Sequence, residues 1–375
     1  MLIGIDASRA TVTQLTGTER YSLEIIRALL DADSPHRWRL YFRDLPSPSL
    51  CSWTGSAEVR IIPFPRLWTH IRLSWEMAAH PPDILFVPAH VLPIIHPRRS
   101  AVTIHDLGYR YFPEAHPPAS RLYLELGTRW NAWRARRVVV DSEATRADLM
   151  RFYGTPAHKI RVIYPGHTAW IQRVEDPARI RSARERLGIP EQYILYVGTI
   201  QPRKNLVRLI EAYAAVRRRW PAGTEPPHLV LGGKMGWMTQ DIVGAVQRNG
   251  LENLVHLVGY VPDEELPALL SGAQAFAFPS LYEGFGFPVL EAMACGTPVI
   301  CSNTSSLPEV AGGAALLVDP LDVDDIAGAL LRVLQDEGLR RHLVEAGYRQ
   351  VQRFSWQNTA RQFLELFEEM GAEPA

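Results

Sequence analysis

Two glutamates with seven residues between them, Glu283 and Glu291, lie in the segment PSLYEGFGFPVLEAMACGTPVI (279–300). Glu283 belongs to a loop after a short apolar run, and proline favours a helix starting near Pro288, which puts Glu291 in its first turn. Gly284 and Gly286 allow a ligand to approach the backbone closely. Free amides there can bind phosphate or sugar oxygens, and carboxylates accept hydrogen bonds from vicinal hydroxyls. The alternative, a solvated capping glutamate beside a structural turn, explains this combination less well.

A second cluster of charge follows the apolar run at 193–198, where Arg203 and Lys204 precede a helical pattern that begins near Asn205. Only three of the forty basic residues are lysines, so a lysine at this place points to a specific task. Cations at a helix N-terminus favour a diphosphate, whose negative charge grows as it leaves a sugar. A basic surface turn is the alternative interpretation.

Two further segments have polar residues or glycine directly after a strand or before a helix. His105 and Asp106 end the apolar run of TIHDLG (103–108), although a lone histidine is more often satisfied by the backbone. The first strand lacks the G-x-G-x-x-G that marks a dinucleotide site, and Gly17 lies just before the first helix. We predict that both segments lie at the ligand-binding edge of a sheet.

The elements that position these residues alternate along the chain. Strand-like apolar runs alternate with helical periodicity, which predicts parallel sheets with helices on both faces. A polar stretch at 166–190 divides the pattern into an N-terminal α/β domain (1–170) and a second one (190–352) that face a central cleft. We expect the amphipathic final segment (356–375) to cross back to the first domain. The predicted strands are 2–6, 38–42, 59–62, 83–87, 101–106, 137–142, 161–164, 193–198, 228–233, 254–259, 275–280, 298–302 and 314–319.

The segment around Glu283 and Glu291 resembles the retaining glycosyltransferases of family 4, which carry Glu-x7-Glu in an EGFG…EAMACG setting. The resemblance extends over essentially the whole chain. It implies the GT-B fold, in which two Rossmann-like doubly wound domains face a cleft. It also implies transfer without a protein nucleophile, in which the acceptor attacks the face that the leaving phosphate departs from.

The resemblance also implies roles for individual residues of the second domain. Glu291 would bind the nucleotide ribose, and Glu283 would contact the transferred sugar or lie near the reacting carbon. The backbone at Phe285 and Gly286 would meet sugar hydroxyls, and Lys204 would bind phosphate.

Three further roles follow from the same resemblance. His105 would contact the donor sugar near the reaction centre, and we do not expect it to act as a general base. The loop that carries Gly17 would close over the diphosphate, although the second glycine of the family's Gly-x-Gly-Arg is Glu19 here. The backbone near Val261, in GYVPDEELPALL, would read the edge of the base. Because Thr199 stands where the family often has an arginine, Arg203 is a candidate for the second phosphate contact.

Composition limits the remaining functions. Forty basic residues balance forty acidic ones, which argues against nucleic acid as a partner. We find no signal peptide, no spanning segment and no metal-binding cysteine spacing, so the cytoplasm is the default compartment and we expect no metal or cofactor. Asp322 and Asp324 are better explained as helix-capping acids than as metal ligands. The basic amphipathic segments 67–75 and 119–137 suit a membrane surface, although packing on the first domain's sheet explains them better.

These observations predict a retaining, metal-independent hexosyltransferase that uses a nucleotide-sugar donor. Its acceptor would be a glycan or a lipid-linked acceptor in bacterial surface polysaccharide assembly, and the resemblance favours GDP-mannose as donor. Two other enzyme classes on the same architecture, a sugar-nucleotide epimerase and a phosphorylase, are alternatives. A non-catalytic protein that binds sugar nucleotides is a third.

Overall fold

The computed structural model describes residues 1–10, 17–45, 55, 57–89, 91–234, 236 and 240–373. The chain divides into two compact units, one of residues 1–166 with 354–375 and the other of residues 167–353. Within the described residues no helix has both the length and the apolar character needed to cross a bilayer.

The first unit is built on a parallel sheet in the order β3-β2-β1-β4-β5-β6-β7. Its central strands are nearly continuous apolar runs, because helices cover both faces of a parallel sheet. The strands are β1 (Leu2–Asp6), β2 (Arg37–Phe42), β3 (Glu58–Ile61), β4 (Ile84–Val87), β5 (Ser100–Ile104), β6 (Arg137–Val140) and β7 (Ile160–Val162). The helices are α1 (Gly17–Asp31), α2 (Ser74–Ala79), α3 (Gly108–Tyr111), α4 (Pro118–Arg134) and α5 (Glu143–Tyr153), and a π-helical turn (Thr69–Leu73) precedes α2.

The C-terminal helix belongs to this first unit. It packs against the sheet through Phe363, whose ring lies 4.7 Å from that of Phe86 on β4. The Thr359 hydroxyl donates to the Tyr164 carbonyl at 2.8 Å. Gly166 leaves space for Trp356, since a Cβ at residue 166 would lie 2.3 Å from the backbone nitrogen of Trp356.

The second unit has its own parallel sheet in the order β10-β9-β8-β11-β12-β13. Its strands are β8 (Tyr193–Val197), β9 (His228–Gly232), β10 (Val255–Gly259), β11 (Ala275–Phe278), β12 (Val299–Ser302) and β13 (Ala315–Val318). Its helices are α6 (Pro177–Arg186), α7 (Leu206–Arg219), α8 (Gln240–Arg248), α9 (Leu266–Gly272), α10 (Phe287–Ala294), α11 (Leu307–Ala311), α12 (Val323–Gln335) and α13 (Glu337–Val351), and α14 (Trp356–Ala372) returns to the first unit.

Side chains cap the starts of two helices. The Ser142 hydroxyl accepts from the Thr145 amide at the start of α5, as an N-cap does. An Asp322 carboxylate oxygen accepts from the amides of Asp324 and Asp325 at the start of α12. Asp322 is therefore a capping acid, as the sequence analysis predicts, whereas Asp324 lies in the first turn of α12 and its carboxylate pairs with Arg219.

The polar stretch at 166–190 is partly helical, although the sequence analysis names no element there. It contains α6, which begins after the N-cap Asp176 and has a single buried residue, Ala183. Its composition is so polar that hydrophobic periodicity gives no signal for it. The helix α13, for which the sequence analysis names no element, likewise begins after an aspartate N-cap, Asp336.

Strand order reverses direction once in each sheet. In the first unit the reversal lies between β1 and β4, and in the second between β8 and β11. Connections on the two sides of such a reversal leave toward opposite faces, which opens a crevice beyond the carboxyl ends of the two strands. The residues that follow β8 and β11 are therefore the first place to look for a ligand site in the second unit.

Candidate active site

The connection after β8 carries the two predicted cations. Pro202 starts a tight 3-10 turn over Pro202–Lys204, and Asn205 then takes a left-handed conformation with φ of 61° before α7 begins at Leu206. The side-chain Nδ2 of Asn205 donates to the carbonyls of Pro279 and Pro320 at 3.1 and 2.6 Å. Arg203 and Lys204 therefore lie in the turn before the helix, and not in its first turn.

The loop after β11 holds Glu283 by its backbone. The Glu283 amide donates to the Ser305 hydroxyl at 3.0 Å, and the Ser306 hydroxyl contacts the carbonyls of Glu283 and Phe285 at 3.0 and 2.6 Å. Ser306 is completely buried. A loop whose carbonyls and amide are satisfied by fixed hydroxyls keeps one conformation, which positions the carboxylate.

These two connections meet at the Glu283 carboxylate. One oxygen, Oε1, lies 2.5 Å from Lys204 Nζ, and the other, Oε2, lies 2.9 Å from an Arg203 guanidinium nitrogen. Lys204 Nζ also lies 4.8 Å from the centre of the Phe278 ring, within the range of a cation–π contact. The structure thus brings together three predicted site residues, which lie in the connections after the two strands that flank the reversal of strand order.

Burial makes this cluster electrostatically strong. Lys204 and Glu283 are both buried, with 8% of each residue exposed. Burial acts to raise the pKa of Glu283, but Lys204 and Arg203 outweigh it and lower that pKa to about 2. The carboxylate is therefore ionised at neutral pH, and the cluster of two cations and one anion keeps a net positive charge for an anionic ligand.

The glycine-containing loop leads directly into α10. Gly284, Phe285 and Gly286 are buried, and Gly286 is the N-cap with φ of +117°. A side chain at Gly286 would be strained by that φ and would approach Leu307 Cδ2 to 2.7 Å. Glu291 is the fifth residue of α10 and is half-buried.

Val261 lies on the loop after β10, in the same unit. It is buried, and a Cβ at Gly232 would come within 2.7 Å of its Cγ2, so Val261 packs over the end of β9. Its proposed role in reading the base stays a prediction.

In the first unit, His105 follows β5 and is held by both neighbouring strands. Its Nδ1 lies 2.6 Å from an oxygen of Asp141, which follows β6, and its Nε2 lies 3.0 Å from the carbonyl of Pro88, which follows β4. The Tyr21 ring of α1 packs edge-on against the imidazole, with ring centres 4.6 Å apart. A carbonyl only accepts hydrogen bonds, so Nε2 carries a proton.

The other two sequence-predicted positions of this unit have simpler surroundings. An Asp106 carboxylate oxygen accepts from the backbone amide of Gly108, the first residue of α3, at 2.8 Å. Gly17 is exposed at the start of α1, and a Cβ there would meet no atom within 4 Å. The proposed contact of the Gly17 loop with diphosphate stays a prediction.

Replacing Asp141 with asparagine should lower the pKa of His105. Burial acts to lower that pKa, but Asp141, with a smaller contribution from Asp106, raises it above its ordinary value of 6.5. The proton on His105 therefore stabilises the fold below about pH 6.5, and this stabilisation disappears as pH rises through the raised pKa. Histidine-detected NMR titration of the wild type and Asp141→Asn should show the lower midpoint in the variant. The His105→Asn variant identifies the resonance of His105. Equal midpoints in the wild type and Asp141→Asn would refute the claim that Asp141 raises the pKa of His105.

Sequence reasoning missed four residues that build these sites. Asp141, Asn205, Ser305 and Ser306 each contact a candidate residue or its loop. Asp141 had one available signal, because a carboxylate directly after the run of valines at 138–140 is an unusual residue at the end of a buried strand. The serines had none, since they lie 22 and 23 positions after Glu283.

Among the residues that the structure describes, no group of three or more histidine, cysteine, aspartate or glutamate side chains is arranged to hold a metal ion. The described cysteines, Cys295 and Cys301, are free and buried. Burial raises the pKa of each thiol to about 12, which keeps both in the unreactive protonated form.

Comparison with known proteins identifies the family of the chain. The family described as "Glycosyl transferases group 1" matches residues 180–350, and "Glycosyltransferase Family 4" matches residues 15–168. The chain is 34% identical over 375 aligned residues to an Escherichia coli protein named O-antigen chain mannosyltransferase B, covering 94% of this chain and 96% of that protein. It is 37% identical over 195 residues to the E. coli serotype-specific mannosyltransferase WbdA, covering 50% of this chain and 23% of WbdA.

Solved structures with the same fold cover almost the whole chain. Sucrose-phosphate synthase from Thermosynechococcus elongatus matches with a TM-score of 0.75 at 23% identity, over 99% of both chains. Anabaena Alr3699/HepE, in complex with UDP and glucose, matches with a TM-score of 0.73 at 20% identity, over 98% of this chain and 99% of that one. These likenesses identify the fold as GT-B. Because two family models match its two halves and a relative is 34% identical over almost the full length of both chains, the chain belongs to glycosyltransferase family 4 and is a sugar-transferring enzyme.

Proposed function

We propose that this enzyme transfers mannose from GDP-mannose, with retention of anomeric configuration and without a metal ion. Its acceptor is a glycan or a lipid-linked glycan in surface polysaccharide assembly. The cluster of Lys204, Arg203 and Glu283 after β8 and β11 carries the proposal. The names of the E. coli relatives, O-antigen chain mannosyltransferase B and mannosyltransferase WbdA, support mannose as the transferred sugar.

The two cations suit the diphosphate of a nucleotide sugar. Negative charge accumulates on the diphosphate as the glycosidic bond breaks, and fixed positive charge at that point lowers the barrier. A buried ammonium held by a carboxylate is already oriented, so it needs little reorganisation when the charge develops. In this proposal Lys204 and Arg203 supply the charge that a divalent cation supplies in metal-dependent transferases.

Glu283 has a second part in the proposal. Its carboxylate fixes both cations, and it lies in the loop that the family resemblance assigns to the transferred sugar. With a pKa of about 2 it stays ionised, so it cannot donate a proton to the leaving oxygen. The proton of the acceptor hydroxyl passes to a phosphate oxygen of the leaving diphosphate, and the acceptor oxygen bonds to the anomeric carbon on the face where that phosphate departs.

The donor is tested first by binding. GDP should raise the melting temperature of the purified protein in the presence of EDTA, and it should do so more than UDP at equal concentration, because a ligand that binds only the native state stabilises it. An effect of UDP alone would overturn the choice of GDP-mannose and leave family membership untouched.

Turnover tests the rest of the proposal. With GDP-mannose and a mannosyl oligosaccharide as acceptor probe, EDTA should leave GDP release unchanged. NMR of the product should show that the new linkage keeps the α configuration of the donor. A β-linked product would overturn retention, and loss of activity in EDTA that Mg²⁺ or Mn²⁺ restores would overturn metal independence. A cytoplasmic location and peripheral membrane contact stay predictions.

A further inference from the structure

Basic residues precede three neighbouring strands of the first unit. Arg98 and Arg99 come directly before β5, Arg136 directly before β6 and Lys159 directly before β7. Because β5, β6 and β7 are adjacent and parallel, their amino ends meet at one edge of the sheet. His105 lies at the other edge, after the five residues of β5, and a strand of that length spans about 16 Å.

These residues surround a cavity of about 500 Å³, which we call the basic pocket. Five arginines and one lysine line it, and Glu373 is the single acid among the described residues that do so. The lining cations are Arg98, Arg99, Arg134, Arg136, Arg137 and Lys159. The pocket therefore carries a large uncompensated positive charge, although the chain as a whole is neutral.

Contacts inside the basic pocket show how far that charge is neutralised. Arg136 and Arg137 each form an ion pair with the Glu373 carboxylate. Lys159 Nζ donates to the carbonyls of Ala132 and Trp133, both at 2.7 Å, so its acceptors within the described part of the chain are neutral groups. Burial, together with repulsion from Arg134 and Arg136, lowers the pKa of Lys159. An arriving anion would relieve this repulsion.

One buried donor in the pocket has no acceptor within the described part of the chain. The Arg99 guanidinium donates from one terminal nitrogen to the Glu373 carbonyl at 2.5 Å, but its buried Nε has no hydrogen-bond partner there. An unsatisfied buried guanidinium N–H is costly, and arginine binds the oxygens of a phosphate with two parallel hydrogen bonds. The chemistry of the pocket therefore fits a phosphate group.

Apolar side chains beside the basic pocket indicate the source of that phosphate. Trp133 lines the pocket with 70% of its surface exposed, and Ile94 and Ile95, directly before the lining residue His96, are 57% and 52% exposed. Tryptophan and aliphatic side chains beside cations suit the interface of a bilayer, where the headgroups are charged and the region beneath is apolar. A free phosphate would make no use of this apolar rim.

We propose that the basic pocket binds the phosphates of anionic phospholipids and holds this enzyme on an anionic membrane surface. The proposal does not depend on the identity of the donor or acceptor, because binding to vesicles is measured without turnover. The sequence analysis considered a membrane surface for the basic segments 67–75 and 119–137 and preferred packing on the sheet. The proposal instead assigns a membrane contact to the amino edge of one sheet.

The test compares the full chain on vesicles of phosphatidylcholine alone and on vesicles that also contain phosphatidylglycerol. We expect binding to the second kind only, weakening as salt rises. The double variant Arg98→Gln with Arg134→Gln removes two pocket cations without touching the Glu373 pairs, and it should lower the partition coefficient by roughly 25-fold, about fivefold per arginine. Arg218→Gln with Arg349→Gln, two exposed arginines of the second unit, is the control with the same change in net charge.

Three results would overturn the proposal. Equal binding to both kinds of vesicle would remove the role of charge, and an equal loss in both double variants would remove the role of the pocket. The third result is that the protein binds neither kind of vesicle, while inorganic phosphate raises the melting temperature of the wild type but not that of the pocket variant. This result would assign the pocket to a free phosphate. Unchanged melting temperatures of both variants without phosphate show that they fold alike.

Discussion

A Lys204→Ala variant should release nucleoside diphosphate from its donor roughly 10²- to 10³-fold more slowly than the wild type, the range found when one preorganised donor to a developing charge is removed. Lys204 is buried, lies 2.5 Å from Glu283 and faces the Phe278 ring, so alanine removes a fixed charge that water cannot replace in the same place. Steady-state release of GDP from GDP-mannose measures the effect. The loss should appear mainly in kcat, because the charge that Lys204 stabilises grows during the reaction.

Lys204→Arg should recover only a small part of this loss. A guanidinium is planar and larger than an ammonium, and the site holds the nitrogen between a carboxylate and an aromatic ring. Arg218→Ala, an exposed change on the following helix α7, is the matched control and should leave turnover unchanged. Full activity of the Lys204→Ala protein, measured below its melting temperature, would show that the cation has no catalytic part.

The sequence predicted the strands of both sheets because each is a short apolar run between polar segments. Buried parallel strands give that signal regardless of their neighbours, as β6 with its three valines illustrates. The helices α6 and α13 escaped because their composition is polar and their buried residues are few. Each is marked at its start by an aspartate N-cap, Asp176 or Asp336, a signal that is weak without periodicity.

The sequence could predict the residues of the candidate site, but not which of their side chains pair with one another. Local context marked Lys204, Glu283 and Arg203, because each lies between a strand and a helix. The pairing of Lys204 with Glu283 joins residues 79 positions apart, and it depends on β8 and β11 being neighbours in the sheet. Strand order is a tertiary property, so no local pattern contains it.

The same limit applies to His105. The sequence placed it at the end of a strand. The structure adds that its two ring nitrogens contact Pro88, which follows β4, and Asp141, which follows β6. The prediction that His105 is not a general base gains a physical reason, since a ring with a proton on Nε2 and a carboxylate at Nδ1 has no free lone pair to accept a proton. Its contact with the donor sugar stays a prediction.

The Glu283→Gln variant should lose both turnover and stability. Glutamine keeps the shape of the side chain but leaves Lys204 and Arg203 without a counter-charge, which in a buried site is destabilising. We expect donor turnover to fall by at least roughly 10²-fold, because the two cations lose the group that orients them. GDP release measures this, and wild-type turnover in the variant would contradict the proposed arrangement.

The stability effect of Glu283→Gln has a defined dependence on pH. The pKa of Glu283 is lowered from its ordinary value of 4.5 to about 2, so the ionised carboxylate stabilises the fold above about pH 4.5. That contribution, of the order of 3 kcal/mol, is lost as pH falls toward 2. Urea unfolding should therefore show the wild type more stable than the variant at about pH 6, with the difference shrinking as the medium becomes more acidic. The Glu252→Gln variant, a change at an exposed residue, is the control. If the stability difference between the wild type and Glu283→Gln stayed constant with pH, the charge of this carboxylate would contribute nothing to stability.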